Sequence, residues 1–256
     1  MNKRLHLFIS DVHLGLRAFD PVEREHRFSS FLYNLPREVE SLYLLGDIFD
    51  FWYEYKYVIP RNFTRSLGAL AYLKDRGVNI FFIRGNHDVW TYNYLRDEIG
   101  VVMLDELDIV DIYGVSFCLG HGDELIGDKM HLMLKSIFKN RFLQKAFSCI
   151  HPRWAFGLAY RWSKHNRLTR GGDYKFNGKE SSLYTFTKNY IELNINNKIE
   201  FFIFGHLHTP GHVELDNGSN LYVLGEWIHN CDFLEYDSIS KKMRWIDKKN
   251  LDYFKK

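Results

Sequence analysis

The 256-residue sequence predicts an α/β fold. Two observations carry this. Through residue 85, short apolar runs alternate with amphipathic stretches, which is the pattern of parallel βαβ units. Beyond residue 105 the apolar runs are joined by hairpin turns instead. A βαβ first half joined to a mostly antiparallel second half is accommodated by two sheets stacked face to face, with helices outside.

The elements follow in chain order. "RLHLFIS" reads as a buried strand. "PVEREHRFSSFLYNL" opens on Pro and places Phe28, Phe31, Leu32 and Leu35 at helical spacing. "VESLYLLG" is a second strand, "TRSLGALAYLKDRG" a helix closed by Gly77, and "VNIFFIRG" a third strand. "LDIVDIYGVSFCLG" predicts a hairpin turning near Tyr113 and Gly114. "KIEFFIFG", "GHVELDNGSNLYVLG" and "FLEYDSISKKMRWID" read as strands, with turns at "DNG" and "SISK".

Three scattered cysteines, Cys118, Cys149 and Cys231, have no CxxC spacing. They argue against a disulfide framework and a thiolate zinc site, and fit a reducing compartment. The apolar part of "MNKRLHLFIS" is too short for a signal sequence, and no apolar run reaches the roughly 18 residues of a membrane span. A cytoplasmic protein is expected.

Residues 129–172 differ from the rest. They hold ten Lys or Arg and no acidic residue, leaving 24 basic against 32 acidic residues elsewhere. Phe138, Phe142, Phe147, Trp154, Phe156, Tyr160 and Trp162 are interleaved with these charges. The expectation is one domain over 1–256, carrying a basic and apolar helical insertion at 124–175.

Polar residues recur where each strand ends. Asp11 and His13 follow the first, Asp47 and Asp50 the second, and Asn86, His87 and Asp88 the third. His121 follows "CLG", and His206 and His208 follow "FIFG". Ligands of open α/β sheets bind outside the carboxyl ends of strands, so these loops should converge. Asp, Asn and His without Cys suit divalent cations such as manganese. Seven ligands exceed one open site and match two ions sharing a carboxylate, the arrangement that activates water for attack at phosphorus. The residues therefore point to a dinuclear hydrolase of a phosphate ester or anhydride.

"DVHLG", "GDIFD", "GNHD", "HGD" and "GHLH", in this order, resemble the signature of the calcineurin-like metallophosphoesterases. The resemblance implies a four-layer αββα sandwich. It implies that Asp11, His13, Asp47 and His208 hold one metal, and that Asp47, Asn86, His121 and His206 hold the other. His87 would contact the reacting phosphate, with Asp88 orienting it and Asp50 in a similar supporting place. "LLGDIFDFWYEYKYVIP", "SIFKNRFLQKAFSCIHPRW" and "GEWI" are similar to the UDP-2,3-diacylglucosamine pyrophosphohydrolases of lipid A synthesis. That narrower family implies two Mn2+ ions, water attack at the α-phosphorus giving UMP and 2,3-diacylglucosamine 1-phosphate, and a helical cap for the acyl chains. Proteobacterial members carry Arg where this chain has His87.

The insertion fits a lipid with a pyrophosphate head, because such a ligand needs both basic and apolar contacts. A peripheral place on the inner face of the cytoplasmic membrane is expected, with a nucleotide-linked glycolipid as substrate and no nucleic acid as partner. Lys164, His165 and Arg167 in "SKHNR" are the candidates for phosphate contacts. The alternatives are a metallophosphodiesterase or nuclease whose insertion stacks single-stranded nucleic acid, and a binding protein on an inactive fold.

Overall fold

The computed structural model describes residues 3–126, 133, 136–158, 160–161, 175–194 and 198–247. The candidates Lys164, His165 and Arg167 lie outside the described residues. The first half comprises β1 (Leu5–Ile9), α1 (Pro21–Tyr33), β2 (Val39–Leu45), α2 (Thr64–Asp75), β3 (Asn79–Ile83) and a short β4 (Val102–Met103). There follow β5 (Leu107–Ile112), β6 (Val115–Gly120), helices Arg141–Ser148 and Ser182–Leu193, β7 (Phe201–Phe204), β8 (Gly211–Glu214), β9 (Asn220–Val223), β10 (Phe233–Asp237) and β11 (Lys242–Ile246).

One sheet runs β11-β10-β1-β2-β3-β4 and the other β5-β6-β7-β9-β8. Period-two burial explains the layers. Leu5, Leu7 and Ile9 point outward, onto Phe28, Phe31 and Leu32 of α1 and Leu70 and Leu73 of α2. Phe8 points the other way, joining Tyr43, Phe117, Ile203, Leu234 and Tyr236 between the sheets. The far face of the second sheet packs Phe202, Phe204, Leu221 and Val223 on Leu183 of the helix Ser182–Leu193. This is the four-layer αββα sandwich. Stacked rings line the space between the sheets: Phe8 is 4.9 Å from Tyr43 on the neighbouring strand and 5.6 Å from Phe117 across the layer.

The second half is mostly antiparallel, as expected, through β5–β6, β8–β9 and β10–β11. The expectation needs one refinement: β6–β7 and β7–β9, at the centre of the second sheet, are parallel pairs. The long connection from β6 to β7 contains the helix Ser182–Leu193, and such a crossover returns the chain in the same direction. The final hairpin also leaves the second sheet, because β10 pairs antiparallel with β1. The parallel strands β1, β2, β3, β6 and β7 consequently end on one side of the molecule.

The helix Arg141–Ser148 begins at an Asn140 cap, whose side chain accepts from Phe142 N and Leu143 N. The covering segment rests Phe138, Phe147, Phe156 and Tyr160 on an aromatic shelf of Phe51, Tyr53 and Trp90. The shelf also supplies donors. Trp90 Nε1 donates to Phe138 O (2.8 Å), the Tyr53 hydroxyl to Gln144 O (2.8 Å) and the Tyr55 hydroxyl to Ile150 O (3.2 Å). Lys139 bridges Glu106 and Glu124 at the side. No helix among the described residues is long and apolar enough to cross a membrane.

Trp90→Leu removes one of these donors and its ring contacts. Trypsin is expected to cut after Arg141 and Lys145 about tenfold faster, the equivalent of one lost buried hydrogen bond. An unchanged cleavage rate would show that the shelf does not hold the segment.

Candidate metal centre

The loops at the strand ends are extensions of the sheet ladder. Asp11 N donates to Gly46 O (3.1 Å), His13 N to Asp47 O (2.9 Å), Leu14 N to Ile48 O (2.9 Å) and Asp50 N to Leu14 O (2.9 Å). The second sheet is tied in the same way, with Gly205 N donating to His121 O at 3.0 Å. Trp227 N reaches Asp11 O at 3.0 Å, so the "GEWI" stretch closes over the first loop.

Within this frame Asp11, His13, Asp47, His206 and His208 all have positive φ, between 49° and 71°. Left-handed backbone costs a non-glycine residue about 1–2 kcal/mol and gathers at functional sites. The sequence argument placed Asp11 and His13 together through extended alternation. They do meet, with His13 Nε2 3.7 Å from Asp11 Oδ1, but through two left-handed turns that leave strand geometry.

Two glycines make the approach possible. A Cβ on Gly46, itself at φ +83°, would lie 2.5 Å from His121 Nδ1. One on Gly205 would lie 2.6 Å from Ser10 Oγ and 2.7 Å from Asp11 Oδ2.

The chain brings together the seven expected ligand residues. His208 Nε2 lies 3.1 Å from Asp11 Oδ1 and 3.3 Å from His13 Nε2. His13 Nε2 is 3.7 Å and His121 Nε2 3.4 Å from Asp47 Oδ2, so Asp47 stands between two groups. Asn86 Oδ1 is 3.3 Å from His121 Nε2. Ligand atoms of Asp11, His13 and His208 can gather around one cation, and those of Asp47, His121 and His206 around another; a third such set is His13, Asp47 and His87.

The electrostatics suit cations. Burial would push the Asp11 carboxyl up, but the imidazoles of His208 and His13 outweigh it and hold it well below the usual carboxylate range. Burial likewise opposes ionisation of Asp47, and His121, His87 and His13 overcome it. Burial pulls His121 down, yet attraction to Asp47 raises it to about 10. Burial and the His121 charge push His206 down to about 3. Asp11 Oδ1 is buried and accepts no well-aligned hydrogen bond, whereas Oδ2 takes Ser10 Oγ (2.6 Å) and His206 N (3.0 Å). A buried oxygen left in this state fits a cation ligand. His121 Nδ1 donates to Leu45 O (2.9 Å), which turns its Nε2 lone pair into the site.

The supporting residues need one correction. Asp88 does not orient His87. Its carboxylate accepts from Gly85 N (2.7 Å), Ile48 N (2.8 Å) and Phe49 N (3.3 Å), stapling two ligand loops together. Burial and the Asp47 charge raise it to about 7. The His87 ring is held instead by Asp50, whose backbone oxygen accepts from Nδ1 at 2.9 Å.

Sequence reasoning also missed Arg24. It is fully buried and donates to His13 O (2.8 Å), Leu16 O (3.4 Å), Ala18 O (2.9 Å) and Phe19 O (3.0 Å). Its signal was slight: one Arg on the apolar side of a helix, level with Phe28 and Phe31.

An αββα sandwich with Asp, Asn and His at these strand ends defines a metallophosphoesterase. The calcineurin-like phosphoesterase family model matches residues 6–210, and the chain belongs to that family. A protein of Porphyromonas gingivalis named UDP-2,3-diacylglucosamine hydrolase is 36% identical over 246 residues, covering 90% of this chain and 93% of its own. One of the same name from Photobacterium profundum is 30% identical, covering 89% and 91%. A dimetal phosphatase from Danio rerio shares the fold, with a TM-score of 0.51, 15% identity and 96% of each chain covered. The chain is thus a hydrolase, and its family and its His and Asp groups imply divalent metals.

Gly205→Ala drives a methyl into Ser10 and Asp11. It is expected to weaken divalent-metal affinity at least tenfold by calorimetric titration, while the far-ultraviolet circular dichroism is kept; unchanged affinity would remove the close approach from the account. Metal affinity should also rise with pH across about 6 to 9. Without metal His121 keeps its proton up to about pH 10, and a metal ion must displace that proton. Affinity that is flat in this window would contradict the cage.

Proposed function

We propose that this hydrolase cleaves the pyrophosphate of UDP-2,3-diacylglucosamine by water attack at the α-phosphorus, giving UMP and 2,3-diacylglucosamine 1-phosphate. The observation that carries this reading is the 36% identity, over 90% of the chain, to a relative named for that substrate.

In this reading Asp11, His13, Asp47 and His208 hold one ion, and Asp47, Asn86, His121 and His206 the other. Manganese is the ion proposed, since imidazole and oxygen donors are mixed. When bound, such a pair supplies an acidified water and positive charge against the phosphoryl oxygens.

The chain's own residues do the rest. Asp47 is held ionised between the two groups by its imidazole neighbours. His87 is partly exposed, its side chain 23% accessible, and its Nδ1 is committed to Asp50 O, so Nε2 is the atom left for a phosphoryl oxygen. The departing group is itself a phosphate, a stable anion, so the task of His87 is charge stabilisation more than proton delivery.

Residues 124–175 serve as the lid in this proposal. Phe142 (77% exposed), Trp154 (72%) and Leu158 (65%) present apolar surface beside Arg141, Lys145, Arg153 and Arg161. That mixture supports acyl chains and an anionic membrane surface as neighbours, with the protein peripheral on the cytoplasmic side. Lys164, His165 and Arg167 are proposed as phosphate contacts of the lid.

Turnover in heavy-oxygen water should place the label in UMP; label in the sugar phosphate would reverse the attacked phosphorus. Removing both acyl chains should lower kcat/KM by about a hundredfold or more, given about 0.8 kcal/mol per buried methylene. Equal activity on a soluble UDP-sugar, or preference for single-stranded nucleic acid, would refute the lipid reading. Asp47→Ala should lower kcat by roughly a thousandfold while the protein still unfolds cooperatively; near-normal turnover would sink the shared-carboxylate arrangement.

A further inference from the structure

The loop between β1 and α1 carries a cation that the metal centre does not use. Arg17 lies four residues past His13 and is exposed. Its guanidinium carbon sits 4.3 Å from the centroid of the Tyr160 ring. Among the described residues its guanidinium makes no hydrogen bond and no ion pair. A guanidinium laid on a ring face is held in place while its edge donors stay available, the geometry that takes a phosphate in bidentate fashion.

The arm is rigid at both ends. On the body side Arg24 clamps the carbonyls on either side of it, Leu16 O at 3.4 Å and Ala18 O at 2.9 Å. Opposite, the Tyr160 ring is 6.3 Å from both Phe51 and Phe156, so it belongs to the aromatic shelf. Tyr160 also stands near the centre. The Asp50 charge raises its phenol, beyond the larger effect of burial and against Arg17. Asp50 itself lies 3.6 Å from His13 Nδ1 and 3.7 Å from His87 Nδ1. Arg17 therefore stands at the lip, where the first ligand loop meets the segment that covers it.

We propose that Arg17, held on Tyr160, binds the second phosphate of a diphosphate substrate, the one that is not attacked, and so selects anhydrides over simple phosphodiesters. This rests on the diphosphate reading above. A site for one phosphate needs no additional guanidinium at its rim. A diphosphate brings a second phosphate, singly charged in the substrate, that gains a further negative charge as it departs as a monoester, and a guanidinium held beside it answers that charge.

The test compares wild type, Arg17→Ala and Arg17→Lys, all loaded with manganese, on UDP-2,3-diacylglucosamine and on bis(4-nitrophenyl) phosphate, which has no second phosphate. Manganese content and Tm are measured alongside. Arg17 is exposed, so the folded state should persist. For Arg17→Ala, kcat/KM on the diphosphate should fall about ten- to a hundredfold further than on the diester, the range of a charge-assisted hydrogen bond. Arg17→Lys should recover part of the loss, because the charge remains and the fork does not. Equal falls on both substrates, no fall on either, or lost manganese would each overturn the proposal. Equilibrium binding of UDP separates it from the substrate reading. If wild type ignores the lipid yet UDP affinity still falls about tenfold in Arg17→Ala, the arginine assignment stands and the lipid reading fails; unchanged UDP affinity overturns the arginine assignment in either case.

Discussion

The structure depends on how it holds carboxyl groups out of water and keeps two of them, Asp11 and Asp47, charged there. Asp11, Asp47, Asp50 and Asp88 are each 2% exposed or less and occupy adjoining loops. An ionised group in such a place is tolerated only when opposite charge and hydrogen bonds surround it. Imidazoles and backbone N–H groups supply part of this, and Asp88 is satisfied by three N–H groups alone. Asp11 and Asp47 instead keep oxygens turned toward one another's histidines, the arrangement that a cation completes. The left-handed residues and the close glycines are consequences of packing so many ligands into one place. A continuous ladder between the loops, with Arg24 clamped beneath the first of them, holds that strain.

The same loops work at two levels. At their base, residues 47–50 and 86–88 line the candidate cage. A few residues on, Phe51, Tyr53 and Trp90 form the shelf on which Phe138, Phe147, Phe156 and Tyr160 rest. Glu54 joins the two loops, accepting from Trp52 Nε1, Tyr92 N, Asn93 N and Tyr94 N. A change in how the covering segment sits is therefore felt within a few residues of the metal ligands. This economy suits a substrate whose head is polar and whose tail is greasy, since one scaffold sets the distance between the two contacts.

Much of this was legible in the sequence, because strand ends punctuated by Gly and followed by Asp, Asn or His are a local pattern with a single physical purpose. The first three strands and both early helices fall where the apolar periodicity puts them, to within a few residues. Pairing across sheets was less legible. β6 and β7 are parallel because of a long crossover, and β9 lies parallel to β7 because β8 takes the outer edge; the crossover helix Ser182–Leu193 carries Thr and Tyr twice each, residues that do not announce a helix. Asp88 was misread because adjacency to His87 in sequence suggested contact, whereas its carboxylate turns back to the loop backbone. Arg24 was overlooked because an arginine on a helix reads as solvent-facing until its carbonyl partners are seen.

The central claim is that one carboxylate, Asp47, joins two divalent ions in a cage built by both sheets. Electron paramagnetic resonance of the metal-free protein titrated with manganese tests this most directly. The account predicts uptake of two ions per chain, with the six-line signal of isolated manganese giving way to an exchange-coupled spectrum as the second ion enters. Saturation at one ion, or two ions whose spectra stay uncoupled, would contradict it.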